Sequence, residues 1–124
     1  QIPFSYVNRG ILSHEELARL YQESVACLVL SLTNVSLLPL ELLAATCIPV
    51  MNEGENNSLV LGKNTYIHYT ATTPIQLAQA LCETVERKDI DEYAMKASAS
   101  VKNLSWNDSY KKVEMIIRRE VCGE

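Results

Sequence analysis

One glutamate stands out for its surroundings. Glu41 sits in the run 37–45 (LLPLELLAA), in which every other residue is apolar. A carboxylate turned into a core must be paired or hydrogen-bonded. Glu41 therefore either faces solvent or serves a ligand, and its spacing alone leaves both readings open. One turn upstream, the backbone N–H groups of Ser36, Leu37 and Leu38 would open a helix without intrahelical acceptors. Such donors, aided by the helix dipole, suit a phosphate. From the next turn Glu41 would accept hydrogen bonds from ribose hydroxyls.

The other reactive side chains carry less. His14 and His68 have no partner at metal-ligand spacing, so both read as surface residues and no metal site is expected. Cys27, Cys47, Cys82 and Cys122 contain no Cys-x-x-Cys pair and read as small reduced core residues, which favours the cytoplasm. Ser36 lacks the strand–turn–helix context of a nucleophile elbow. Lys63 has no motif that would make it a pyridoxal-phosphate lysine. Tyr6, Tyr21 and Tyr66 read as core or boundary aromatics. No catalytic residue is assigned.

The elements that must position Glu41 follow from patterning. Ile2, Phe4, Tyr6 and Val7 suggest a short strand ending at a turn, Asn8-Arg9-Gly10. Ser13 with Glu16 three residues later is a capping box, and Leu17, Leu20, Tyr21 and Ser24 continue one helical face. The run 25–30 (VACLVL) is continuously apolar, as expected of a strand buried on both faces of a parallel sheet. A loop, 31–36, leads into the helix 37–45, where Pro39 is tolerated only in the first turn. The segment 46–50 returns to a strand. Strand, loop, helix and strand in that order make a βαβ unit.

Beyond it, 52–57 (NEGENN) is a polar loop, and Tyr66 to His68 or Tyr69 is a short strand. Thr73, Pro74 and Gln76 form a second helix start, followed at helical spacing by Ile75, Ala78, Leu81, Cys82 and Val85 to about Lys88. Residues 90–103 form a weaker helix rich in Ala and Ser. The last helix, 106–121, carries Trp106, Tyr110, Val113, Ile117 and Val121 on one stripe. The expected fold is α/β: a Rossmann-like open parallel sheet with helices on both faces, one domain over 1–124. So few strands suggest that further strands lie upstream, and the first residue being Gln1 suggests a longer parent chain.

Bulk properties narrow the function. The chain has 124 residues, 48% hydrophobic and 21% charged, with a net charge of −4. That is ordinary for a globular core. Arg118 and Arg119 form only a pair, so nucleic acid is not an expected partner. No apolar stretch approaches the length of a membrane span.

With these elements in place, a resemblance emerges. Gly10, followed by Leu12-Ser13-His14-Glu15-Glu16-Leu17-Ala18-Arg19-Leu20-Tyr21, resembles the G-x-(l)-s-x-e-e-L-a-x-L-Y stretch of GT-B glycosyltransferases. Ser31-Leu32-Thr33 with Leu38-Pro39-Leu40-Glu41-Leu42-Leu43-Ala44 resembles their S…LPxLE-x-x-A motif, and Ile48-Pro49-Val50 the P-V that follows. The resemblance spans nearly the whole chain, through a C-terminal helix begun by Trp106. It implies the C-terminal donor-binding domain of a family-4-like enzyme that transfers a sugar from a nucleotide-diphosphate sugar to a glycan acceptor in polysaccharide assembly. It also implies an N-terminal partner domain carrying the acceptor site, no cofactor, and a cytoplasmic seat that includes the inner membrane face.

Carried over residue by residue, Glu41 matches the glutamate that holds the donor ribose. Ser36, Leu37 and Leu38 fall at the diphosphate, and Gly10, Ile11 and Leu12 at the turn where the base is expected. A second family glutamate, which contacts the donor sugar, falls at Thr33. The family's loop glycines are replaced by Val35, Ser36 and Leu37, and the small residue after the motif is Thr46. These departures resemble a divergent branch that includes rhamnosyltransferases, in which an E-N pair recurs after the next strand, as Glu55-Asn56 does here. They also support an alternative: a degenerate, non-catalytic partner domain of the same architecture. A sugar-nucleotide epimerase or a phosphorylase is a related rival. A flavodoxin-like regulatory module would need Asp at a strand end, where this chain has Asn8, Leu30 or Ser31, and Met51 or Asn52.

Overall fold

A computed structural model describes residues 3–62 and 64–123. The expectations placed on Gln1, Ile2, Lys63 and the Cys122 side chain lie outside the described residues. The core is a three-stranded parallel sheet in the order β1 (Ala26–Val29), β2 (Ile48–Asn52), β3 (His68–Thr70). Ala26 pairs with Ile48 and Val29 with Met51; Val50 pairs with His68 and Asn52 with Thr70.

Helix α1 (His14–Gln22) begins where the capping box predicts. Ser13 Oγ accepts the Glu16 N–H at 3.3 Å, and Glu16 Oε2 accepts the Ser13 N–H at 2.8 Å. These bonds hold the Glu16 carboxyl below its ordinary range. Ser24 lies beyond the helix, its hydroxyl donating to the Leu20 carbonyl at 2.6 Å. The turn before α1 also forms: Gly10 has φ +63°, and its N–H donates to Asn8 Oδ1 at 2.9 Å.

The strand expected at the start of the chain does not form over its described part. Phe4, Tyr6 and Val7 are exposed and outside the sheet. Among the described residues the segment pairs with neither edge strand, β1 nor β3, so no ladder satisfies its backbone. The continuous apolar run 25–30 is likewise not buried on both faces. β1 is an edge strand in which Leu28 stays exposed, as does Leu30 just past its end, and only the central β2 is buried at every position.

Helix α2 (Leu38–Ala44) takes Pro39 in its first turn and buries Leu42 and Leu43. The chain leaves α2 through Thr46 at φ 65°. That left-handed geometry belongs to glycine by preference. β2 starts two residues later than the 46–50 reading because 45–47 are spent on this turn. A helix, α3 (Glu55–Val60), begins inside the run read as a polar loop.

Helix α4 (Pro74–Val85) opens on Thr73, whose hydroxyl accepts the Gln76 N–H at 3.3 Å. Its buried face differs from the expected one. Leu77, Ala80 and Thr84 are buried, whereas Ile75 and Val85 are exposed. The small Ala80 lets the helix lie close against the sheet. Helix α5 (Ile90–Val101) buries Ala94, Ala97 and Val101 and packs on α2, where Ser98 Oγ donates to the Ala44 carbonyl at 3.0 Å.

Alternation along the strands assigns the faces. Val29 and Met51 point to the α2 and α5 side, in one cluster with Leu42, Leu43 and Ala97. Val50 and its partner His68 point to the α4 side. The fold is therefore α/β, a small open parallel sheet with helices on both faces. Helix α6 (Trp106–Ile117), continued by a π-helical turn (Arg118–Cys122), buries no residue, so its apolar stripe lies on the surface. Among the described residues no helix is long and apolar enough to cross a membrane.

Candidate functional site

In open α/β sheets ligands bind beyond the carboxyl ends of the strands. Here that edge is built by a side chain at the end of β2. Asn52 is buried, accepts the Ser31 N–H on Oδ1 at 2.8 Å, and donates from Nδ2 to the Ser31 carbonyl at 2.8 Å. Asn57 of α3, also buried, donates to the Asn52 carbonyl at 2.8 Å. Asn56 reaches the Thr33 carbonyl at 3.4 Å. The loop after β1 is thus anchored from three asparagines of the following βα segment.

Within that loop the polar side chains bond to their own neighbours. Ser31 Oγ donates to the Asn34 carbonyl at 2.5 Å, and Thr33 Oγ1 donates to Asn34 Oδ1 at 3.2 Å. Ser36 Oγ accepts the Leu38 N–H at 3.2 Å, which removes one of the three amides expected to face a ligand. The amides of Ser36 and Leu37 donate to no acceptor among the described residues.

Glu41 resolves as exposed, while Leu42 and Leu43 beside it are fully buried. Among the described residues it forms no ion pair. On one side it borders α1 at His14, Leu17 and Tyr21. Burial pushes the Tyr21 phenol up, and the Glu41 carboxylate pushes it further. On the other side Glu41 lines an open groove of about 520 Å³ between α2 and the start of α6, shared with Leu37, Leu40, Leu104, Trp106 and Lys112.

The structure brings Glu41 and Leu37 together in that groove. Gly10 and Ile11 are exposed, and Leu12 is half-buried, lining a separate groove with Arg9, Glu16 and Arg19. Thr33 and Ser36 are exposed on the carboxyl-edge loop. Trp106, Asn52 and Asn57 were not among the site residues read from the sequence. The asparagines had one available signal, their clustering directly after a strand. Trp106 had none, because its approach to α2 depends on how α5 packs.

The remaining reactive groups lie elsewhere. His68 is half-buried rather than a plain surface residue: Nδ1 lies 3.0 Å from Thr84 Oγ1, and Nε2 lies 3.6 Å from Glu83 Oε2. Thr84 already donates to the Ala80 carbonyl at 2.8 Å, so the His68 ring donates to it. This cluster sits at the amino ends of β2 and β3, the opposite edge from the loops after the strands. Cys47 is fully buried, and burial, reinforced by Cys27, pushes its thiol up to about 12. Cys27 is partly buried; Cys82, expected in the core, is exposed on α4. Tyr6, read as core or boundary, is exposed. His14 is exposed at the start of α1, and no metal-binding group of His, Cys, Asp and Glu occurs among the described residues.

No protein-family model, no curated protein and no solved structure matches the chain.

Proposed function

We propose that this chain is the donor-binding domain of a GT-B-type glycosyltransferase, holding a nucleotide-diphosphate sugar whose sugar passes to a glycan acceptor. The observation that carries the reading is the placement of Glu41: a carboxylate with no ion-pair partner among the described residues, on the first helix after a parallel-sheet strand, lining a groove large enough for a small ligand. An apolar helix that keeps one carboxylate in a groove has an acceptor suited to a pair of ribose hydroxyls. The loop after β1, anchored by Asn52 and Asn56, supports it, and the Glu55-Asn56 pair after β2 is the sequence feature that resembles the rhamnosyltransferase-like branch. The acceptor site and the catalytic groups belong, in this reading, to a partner domain.

A second reading has its own observation. Thr33 stands where the family's sugar-contacting glutamate falls, and its hydroxyl is spent on Asn34. A domain that kept the fold and lost the sugar subsite would look the same at that position.

Calorimetric titration of the full-length protein with dTDP, UDP and GDP separates the two. Micromolar binding of one nucleotide, abolished by Glu41→Ala, is the expected result. A folded protein that binds none of them would leave the non-catalytic domain as the conclusion.

A further inference from the structure

The apolar face of α6 is left open. Trp106, Tyr110, Val113, Ile116 and Ile117 are each more than half exposed. Beyond the groove at its first turn, α6 packs chiefly on its own π-helical continuation, Arg118–Cys122. It has 12 residues and buries none of them. Isolated helices of that length are marginal in water, and packing of an apolar face is what stabilises them. The surface of the whole chain agrees. A compact monomer of 13.9 kDa would expose about 6,700 Å², and this chain exposes 9492 Å². The difference exceeds the roughly 800 Å² that each partner buries in an interface of standard size.

The stripe itself describes its partner. Trp106, Tyr110, Val113 and Ile117 follow one another at intervals of four, three and four residues, the spacing of a coiled-coil seam. The stripe is also self-complementary. A second α6, laid antiparallel about a two-fold axis between Lys111 and Lys112, sets Trp106 against Ile117 and Tyr110 against Val113. Each layer then faces a large ring with a smaller branched side chain, the combination that fills a seam without voids. Beside the seam Glu114 meets Asn107 and Ser109 and no like charge. Lys111, Lys112, Arg118 and Arg119 fall on the outer side of the helix by its 3.6-residue turn. A bilayer suits the stripe less well, because Glu120, three residues past Ile117, shares its face and would enter the apolar layer. In the paired arrangement Glu120 lies beyond the last layer of the seam.

We infer that α6 pairs antiparallel with α6 of a second copy of this chain, in a symmetric dimer whose seam is Trp106, Tyr110, Val113 and Ile117. Of these four residues the groove beside Glu41 uses Trp106 alone, so dimerisation and donor binding are independent properties.

Light scattering of the chain at tens of micromolar is expected to give about 28 kDa, twice the 13.9 kDa of one copy. Trp106 is the only tryptophan in the sequence, and its emission should move to the red on dilution as the indole is uncovered. Ile117→Glu sets unpaired carboxylates in the seam and should weaken the dimer at least about a hundredfold. Trp106→Lys alone should also separate the copies. The double variant carrying both changes should dimerise again, because the antiparallel seam sets each lysine against a glutamate. That recovery also separates loss of the interface from loss of the fold, which circular dichroism checks in each variant. A chain that stays monomeric overturns the dimer, and co-sedimentation of that monomer with vesicles of phosphatidylglycerol and phosphatidylcholine would assign the stripe to a bilayer. A dimer indifferent to Ile117→Glu is made by another surface and overturns the seam. A double variant that stays monomeric overturns the antiparallel register.

Discussion

Asn52 and Ser31 exchange two hydrogen bonds, side-chain amide to backbone, each 2.8 Å long. The pair continues the β1–β2 ladder one step past the last backbone rung, Val29 with Met51. The side chain replaces a rung that the chain itself can no longer make, because β1 turns away into its loop. Truncation leaves the Ser31 N–H without its acceptor at a partly buried position, and leaves the Ser31 carbonyl only the longer bond from Asn57 Nδ2, 3.5 Å. Asn52→Ala is expected to cost about 2–3 kcal/mol in urea unfolding. Asn52→Asp, which loses the donor and sets a carboxylate against a carbonyl, should be no better. A variant within about 0.5 kcal/mol of wild type would show that this bridge does not hold the loop.

The buried face of α4 can be tested with two truncations. Leu77→Ala removes a buried side chain and is expected to cost about 2–4 kcal/mol. Ile75→Ala, two residues away and 72% exposed, should change stability by less than about 0.5 kcal/mol. Reversal of that order would restore the face read from the sequence.

Thr46 pays for a left-handed turn with a β-branched side chain. Relieving that conformation is worth about 1–2 kcal/mol, partly offset by the unfolded-state entropy of glycine and by loss of the hydroxyl bond to the Ala45 carbonyl. Thr46→Gly should therefore raise stability by about 1 kcal/mol. A lower urea midpoint in this variant would contradict the turn geometry.

The buried thiol of Cys47 sets an alkaline limit. Its folded value, about 12, lies above the ordinary 9.0, so the neutral form is the one the fold favours. The corresponding stability is complete below about pH 9 and is lost as pH rises toward 12. Cys27, Tyr21, Tyr69 and Tyr93, all raised by burial, shift stability in the same direction. Urea midpoints measured from pH 8 upward should fall, and fall less steeply in Cys47→Ala. In the native state at neutral pH a thiol reagent should label Cys82 before Cys27, with Cys47 reacting only on unfolding.

What the sequence revealed and what it withheld divide along local and non-local lines. The starts of α1 and α4 were legible because Ser13 with Glu16, and Thr73 with Gln76, satisfy backbone donors within four residues. Pro39 marked the first turn of α2 for the same kind of reason. The face of α4 was not legible, since Ile75 and Leu77 are equally apolar and only the sheet decides between them. The first segment read as a strand from its alternating apolar residues, but a strand exists only with a partner. Glu41 was recognisable as out of place, whereas its neighbour in the groove, Trp106, is brought there by the packing of Ala94 and Ala97 against α2. The bridge from Asn52 to Ser31 had no signature beyond the clustering of asparagines after a strand, and its partner lies 21 residues away.

The order β1-β2-β3 has one further consequence. Spatial neighbours in the sheet are also successive in the chain, with partners separated by about twenty residues at each step, so each loop closed by strand pairing is short. Assembly can run in the order of synthesis: β1 waits only for β2, and β2 only for β3. A nascent chain emerging from the ribosome through Asn57 already holds the first strand pair and the asparagine bridge that locks its loop.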